Sequence, residues 1–137
     1  TAGYFTRKNC KTIIMIKKIL ILLLVFIPLN SLALEKNTTF NEKLFKKAQL
    51  DGKVVVISSW VKYCSSCASQ MKVLNKANKE FDDIEYYAFD VTNKKIANLF
   101  NVEYQSTILI FKDNKEVYRS IGKTNKKEIY KIIKKFI

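Results

Sequence analysis

Histidine is absent from this chain of 137 residues, proline occurs once, at Pro28, and glycine three times. Cysteine is almost as scarce, with Cys10, Cys64 and Cys67 only. A zinc site wants four ligands, mostly Cys and His. With no His and two cysteines after the first third, a zinc site built by one chain is excluded. Long apolar runs are also missing. The run Ile19 to Ile27, ILILLLVFI, falls well short of the roughly 20 residues that cross a bilayer. No Cys follows that run at lipoprotein distance, which excludes a lipid anchor of that kind. No internal repeat, linker or second domain is visible, and the length suits one domain with one core.

What stands around the apolar run has its own order. Met15-Ile16-Lys17-Lys18 is basic, the apolar stretch follows, and Pro28, Asn30 and Ser31 break it. Ser31-Leu32-Ala33 then puts small residues at the −3 and −1 positions of a cleavage site. This is the layout of a secretory signal peptide, and the alternative is a retained anchor. The expected organisation is an upstream extension plus signal peptide over residues 1–33, the signal being Met15–Ala33, and a domain over 34–137. Five of the 25 basic residues and none of the 12 acidic ones precede residue 34, so the domain keeps 20 against 12, a net charge of +8. It also keeps Cys64 and Cys67 and no proline. Export to a periplasmic or extracellular space lets two nearby cysteines form a lasting disulfide.

Along the domain, Asn37 to Leu50 reads as a helix, capped by Thr38 or Thr39 with Glu42 completing a capping box. Lys53 to Ser59, KVVVISS, reads as a buried central strand. A long helix then runs to about Phe81, with Ala68, Met71, Leu74 and Ala77 as its apolar stripe. Ile84 to Val91 is a strand and Lys94 to Phe100 a short helix. Thr107 to Phe111 is a second buried strand, Asp113-Asn114-Lys115 a tight turn, and Glu116 to Ile121 the returning strand. Thr124 would cap a last helix to Ile137 with Ile129, Ile132, Ile133 and Phe136 inward. The order α-β-α-β-α-β-β-α gives a mixed sheet with helices on both faces. The lysines at 126, 127, 131, 134 and 135 read as solvated helix faces, and no nucleic-acid partner is expected.

The stretch WVKYCSSC, Trp60 to Cys67, carries the chemistry. Cys64 falls where a buried strand meets a helix, among backbone N–H groups without helical partners and at the positive end of the helix dipole. A thiolate there is stabilised and nucleophilic, and Lys62 can add to the positive field. Cys67, nearly one turn on, can bring its sulfur to Cys64 and act second. Thiol–disulfide exchange needs this division: one thiolate attacks, a mixed disulfide forms, and the second thiol resolves it. A structural disulfide closing so short a loop would be a weak staple. A two-thiolate site for a soft ion such as Cu(I) stays open as an alternative function.

With these residues in view, the chain resembles the thioredoxin-like oxidoreductases from about Glu42 to its end. The resemblance rests on VVVISSW, on Trp60 four residues before the first Cys, and on Tyr63 before a CxxC pair. It continues through FDVTNKKIANLFNV, STILIFKDNKEV, Gly122 and a terminal helix. Within the family it is most similar to small periplasmic thioredoxins and to the C-terminal domain of the thiol reductant DsbD. The resemblance implies an α/β, thioredoxin-like fold with a central mixed β-sheet flanked by helices. It implies Cys64 as the attacking and Cys67 as the resolving catalytic thiol, with no cofactor and no metal. Trp60, Tyr63, Tyr104, Gln105 and Ser106 would contact the substrate; for Trp60 and Tyr63 the alternative is a plain core position. The partners implied are protein thiols and disulfides and a membrane-bound redox protein, for a monomer without stable membrane insertion.

Four positions depart from the family pattern. Ser106 stands where relatives carry a cis-proline, and a cis bond before a non-proline residue costs about 2.5–4 kcal/mol, so a trans Gln105–Ser106 bond is expected. Ser58 stands where relatives keep a buried acid, and Ala88 where a lysine often partners it. Lys72 replaces a helix-kinking proline. These departures imply a specialised or slower exchange partner rather than a general reductase.

Overall fold

A computed structural model of the chain describes residues 38–137. The expected extension and signal peptide (residues 1–33, with Met15–Ala33), the domain start at 34, and Cys10 lie outside the described residues. Among those described, the order is α1 (Glu42–Leu50), β1 (Val54–Trp60), α2 (Ser65–Glu80), β2 (Ile84–Asp90), α3 (Lys94–Leu99), β3 (Thr107–Lys112), β4 (Lys115–Ile121) and α4 (Lys126–Ile133). No helix among them is long and apolar enough to cross a membrane.

β1 is the hub of the sheet, whose strand order is β2-β1-β3-β4. It pairs parallel to β2 and antiparallel to β3, and β3 pairs antiparallel to β4. A strand with a layer on each face is apolar at every position, as Val54–Ile57 are. Alternation sends Val54 and Val56 to one face, where Leu74, Ala77, Ile129 and Ile133 of α2 and α4 cover them. Val55 and Ile57 go to the other, under Ala48 of α1 and Ala97 of α3. That second layer is closed by edge-on aromatic contacts, with Phe40 against Phe100 at 5.1 Å and Phe45 against Phe111 at 5.2 Å.

The expected elements are present, and their ends differ for local reasons. The first helix starts at Glu42, capped by Asn41, whose side chain accepts from Lys43 N and Leu44 N. Thr38 and Thr39 are drawn instead into a parallel bridge with Ala88, through Phe40 N to Ala88 O and Ala88 N to Thr38 O. Asn125, not Thr124, caps the last helix, which closes at Ile133. The buried positions of α2 are Cys67, Gln70, Leu74, Ala77 and Asn78, while Ala68 is exposed. The helix therefore turns a partly polar stripe inward. The β3–β4 hairpin has the two-residue loop Asp113–Asn114 with φ of 51° and 60°, the geometry that matches strand twist. Arg119 of β4 forks onto Glu116 and donates to the carbonyls of Phe100 and Asn101, tying β4 to the end of α3.

Leu74→Ala should cost about 2–5 kcal/mol of unfolding free energy, because Leu74 is 1% exposed at the centre of its layer. Leu50→Ala, at a position 81% exposed, should stay within about 0.5 kcal/mol. Urea midpoints at constant slope measure both.

Candidate active site

β1 ends at Trp60, and after the four residues Val61 to Cys64 the chain enters α2. Tyr63 makes the bend with φ of 64°, a left-handed conformation uncommon for a bulky residue. Cys64 is the N-cap of α2 in extended conformation, and its Sγ accepts from Cys67 N at 3.2 Å. The cap position that Ser or Asp usually fills is thus held by sulfur. Cys64 and Cys67 form a disulfide, with S–S 2.12 Å and Cα–Cα 5.3 Å. Cys67 is 2% exposed, whereas Cys64 is only partly buried. Access and the helix terminus therefore favour the same sulfur.

The loop before β3 meets this pair from the other side. Ser59 holds it: its carbonyl accepts from Ser106 N at 2.8 Å, and its hydroxyl accepts from Thr107 N at 3.1 Å and donates to Tyr104 O at 2.7 Å. The Ser106 carbonyl accepts from Gly122 N at 2.9 Å and from Gln70 Nε2 at 3.0 Å. Gln70 Nε2 also donates to Lys123 O, so one buried amide joins α2 to both loops beside the disulfide. Fixed at these points, Ser106 has φ of 56°, and its preceding bond is trans, no cis bond occurring among the described residues. Its hydroxyl lies 3.2 Å from Cys67 Sγ, 3.8 Å from Cys64 Sγ and 3.1 Å from Ser66 Oγ.

On the sheet face beneath α2, Ser58 is fully buried and bonds the Tyr86 hydroxyl at 2.7 Å. Burial pushes the Tyr86 phenol well above its ordinary range, and the Ser58 hydrogen bond opposes that only in part. A neutral hydroxyl pair thus stands in the core where the family pattern has an acid. Ala88, the register partner of Ser58 on β2, adds no charge.

The expected site residues fall into two groups. Cys64, Cys67 and Ser106 meet directly. Tyr63 is 93% exposed beside them, with Lys62 Nζ over its ring, and Tyr104 and Gln105 are exposed on the opposing loop. Trp60 is half-buried and packs against the α2-side core, the alternative position weighed for it. Lys72 sits inside an unbroken helix. Pattern reading missed Ser59, Ser66, Gln70 and Tyr86. Gln70 could have been found from its spacing, three residues after Cys67 and four before Leu74, on the inward stripe. Among the described residues no group of three or more His, Cys, Asp or Glu is placed to hold a metal ion.

A family model described as Thioredoxin matches residues 31–135. The H-type thioredoxin of Fagopyrum esculentum is 30% identical over 94 residues, which is 68% of this chain and 80% of that protein. The thioredoxin of Chlamydia trachomatis is 29% identical over 83 residues, 60% of this chain and 81% of its own. Among solved structures, Fasciola hepatica thioredoxin matches with a TM-score of 0.62 at 26% identity, covering 70% of this chain and 90% of that one.

Ser59→Ala strands the Thr107 N–H and should cost about 1–3 kcal/mol in denaturant unfolding. The Tyr86 phenol gives a pH test. Below its ordinary value of 10.0 the phenol is neutral both folded and unfolded; above it, the unfolded chain ionises while the buried phenol does not. Stability from this group is therefore full below about pH 10 and falls as pH rises further. Tyr86→Phe should flatten that alkaline slope relative to the unaltered protein.

Proposed function

The chain belongs to the thioredoxin family and is a thiol–disulfide oxidoreductase; from that premise we propose an exported enzyme that exchanges its Cys64–Cys67 pair with a few protein partners. The observation that carries the reading is the pair's placement, an accessible sulfur capping α2 and a buried one a turn behind it. In the reducing direction, the Cys64 thiolate attacks a partner disulfide, releasing one partner thiolate and leaving a mixed disulfide. The Cys67 thiolate then attacks Cys64 Sγ, expelling the second partner thiolate and closing the pair. A membrane-bound redox partner returns two electrons. The sequence Met15–Ala33 supports export as a cleaved signal, with the working domain in the periplasm or outside the cell.

Substrate contact is assigned to Ser106, which meets both sulfurs, and to Tyr63, Tyr104 and Gln105, exposed on the two loops that carry the pair and Ser106; Trp60 keeps its core position. Tyr63 supports this best. A large ring kept 93% exposed at a positive φ serves neither burial nor backbone comfort. Specialisation follows from the neutral interior. With Ser58 and Tyr86 where an acid would stand, no carboxylate assists the buried thiol, and turnover on unselected substrates should be slow.

Four experiments test this reading. Reduced protein should reduce a generic protein disulfide more slowly than an ordinary thioredoxin; Cys64→Ser should abolish the activity and Cys67→Ser should accumulate mixed disulfides. Tight one-to-one Cu(I) binding without any turnover would overturn it in favour of a metal carrier. Tyr63→Asn, which suits the left-handed bend, should keep or raise stability while lowering kcat/KM for protein disulfides and sparing a small-molecule disulfide. Expression of the full chain in a bacterial host should yield a periplasmic product beginning at Leu34; a product retaining residues 15–33 contradicts cleavage.

A further inference from the structure

Resolution of a mixed disulfide requires Cys67 to lose a proton, and Cys67 is 2% exposed. The buried hydroxyls of Ser58 and Tyr86 bond each other and offer no base. One path leads out. Ser106 Oγ is 3.2 Å from Cys67 Sγ, Ser66 Oγ is 3.1 Å from Ser106 Oγ, and Ser66 is exposed at the start of α2. Ser106 itself is 4% exposed, so the line runs from a buried sulfur through a buried hydroxyl to a solvated one.

We propose that Ser106 and Ser66 form a hydroxyl relay that carries the Cys67 proton to solvent during resolution. This rests on the exchange reading above and assigns to Ser106 a catalytic contact with a reacting sulfur. Ser66, which acts through Ser106, is a positioning residue. A hydroxyl donates once and accepts twice, so each serine can take a proton on one side while giving one on the other. The Cys67 proton passes to Ser106 Oγ, the Ser106 proton to Ser66 Oγ, and the Ser66 proton to water. The Cys67 thiolate attacks Cys64 Sγ, the bond from Cys64 to the partner sulfur breaks, and the partner leaves as a thiolate that water reprotonates. The pair is oxidised by two electrons, the partner reduced by two, and both serines end as hydroxyls. The backbone bonds to Ser59, Gly122 and Gln70 fix Ser106 at its positive φ and so hold its hydroxyl on this line.

The test is single-turnover reaction of the reduced protein with an aromatic disulfide whose released thiolate is coloured. Two releases are seen, the first from attack by Cys64 and the second from resolution by Cys67. Ser106→Gly removes the hydroxyl and suits the positive φ, so it should fold; Ser66→Ala removes the outer hydroxyl. Each should slow the second release by about 10²-fold, the low end of positioned proton transfer, and Ser66→Ala should leave the first unchanged. The second release should show a solvent deuterium effect in the unaltered protein that changes in both variants, and Ser66→Thr should restore its rate. An unchanged second release in both variants overturns the relay and leaves exchange intact. Slowing of both releases together by Ser66→Ala, or slowing of the second by Ser106→Gly alone, also overturns it, because packing would then account for the effect. Absence of the first release in the unaltered protein would instead remove the exchange reading.

Discussion

One strand end governs the site. Ser59 belongs to β1, the strand that leads into Cys64, and the same residue binds the loop that faces the sulfurs through its carbonyl and its hydroxyl. The two halves of the site are therefore fixed to each other through Ser59 on the central strand, and a second time through Gln70 of α2. β1 can do this because β2 and β3 flank it in one register and apolar layers bury both faces. Without that register the helix could still begin at Cys64, but Ser106 would have no reason to arrive opposite it.

The interior beside the pair is neutral. The family pattern has a buried acid there that assists proton transfer at the second thiol. Here the corresponding groups are Ser58 and Tyr86, bonded to each other, and burial keeps the phenol protonated. Control of the exchange is left to the helix terminus at Cys64 and to hydroxyls at the surface side of Cys67. The loop position usually occupied by proline carries a side chain that can hydrogen bond sulfur, which a proline ring cannot.

The strands were legible because their signal is composition: VVVIS and TILIF can only be central strands in a chain this size. The pair of cysteines was legible because a CxxC at a strand-to-helix junction has few other uses. Helix ends were less so. Thr39 and Asn41 are both capable caps, and the choice was made by a distant partner, Ala88 of β2, which draws residues 38–40 into an extended bridge. The inner stripe of α2 was read only in part, with Met71, Leu74 and Ala77 inward as expected, for a related reason. Cys67, Gln70 and Asn78 are buried polar or sulfur groups that bond partners outside the helix, among them Ser106, Lys123 and Tyr86. Apolar periodicity does not register such residues, and it favoured Ala68, which is exposed. Ser59 and Ser66 were invisible for the same reason: a serine declares its role only through the atoms it meets.

The exchange chemistry depends on Cys64 being the reactive sulfur because it caps a helix. Alkylation of the reduced protein across a pH series, with the modified cysteine identified by mass spectrometry, tests this most directly against an unfolded peptide carrying WVKYCSSC. Cys64 should be modified first, and faster near neutral pH than either cysteine of the peptide. Equal rates in protein and peptide, or first modification at Cys67, would contradict it.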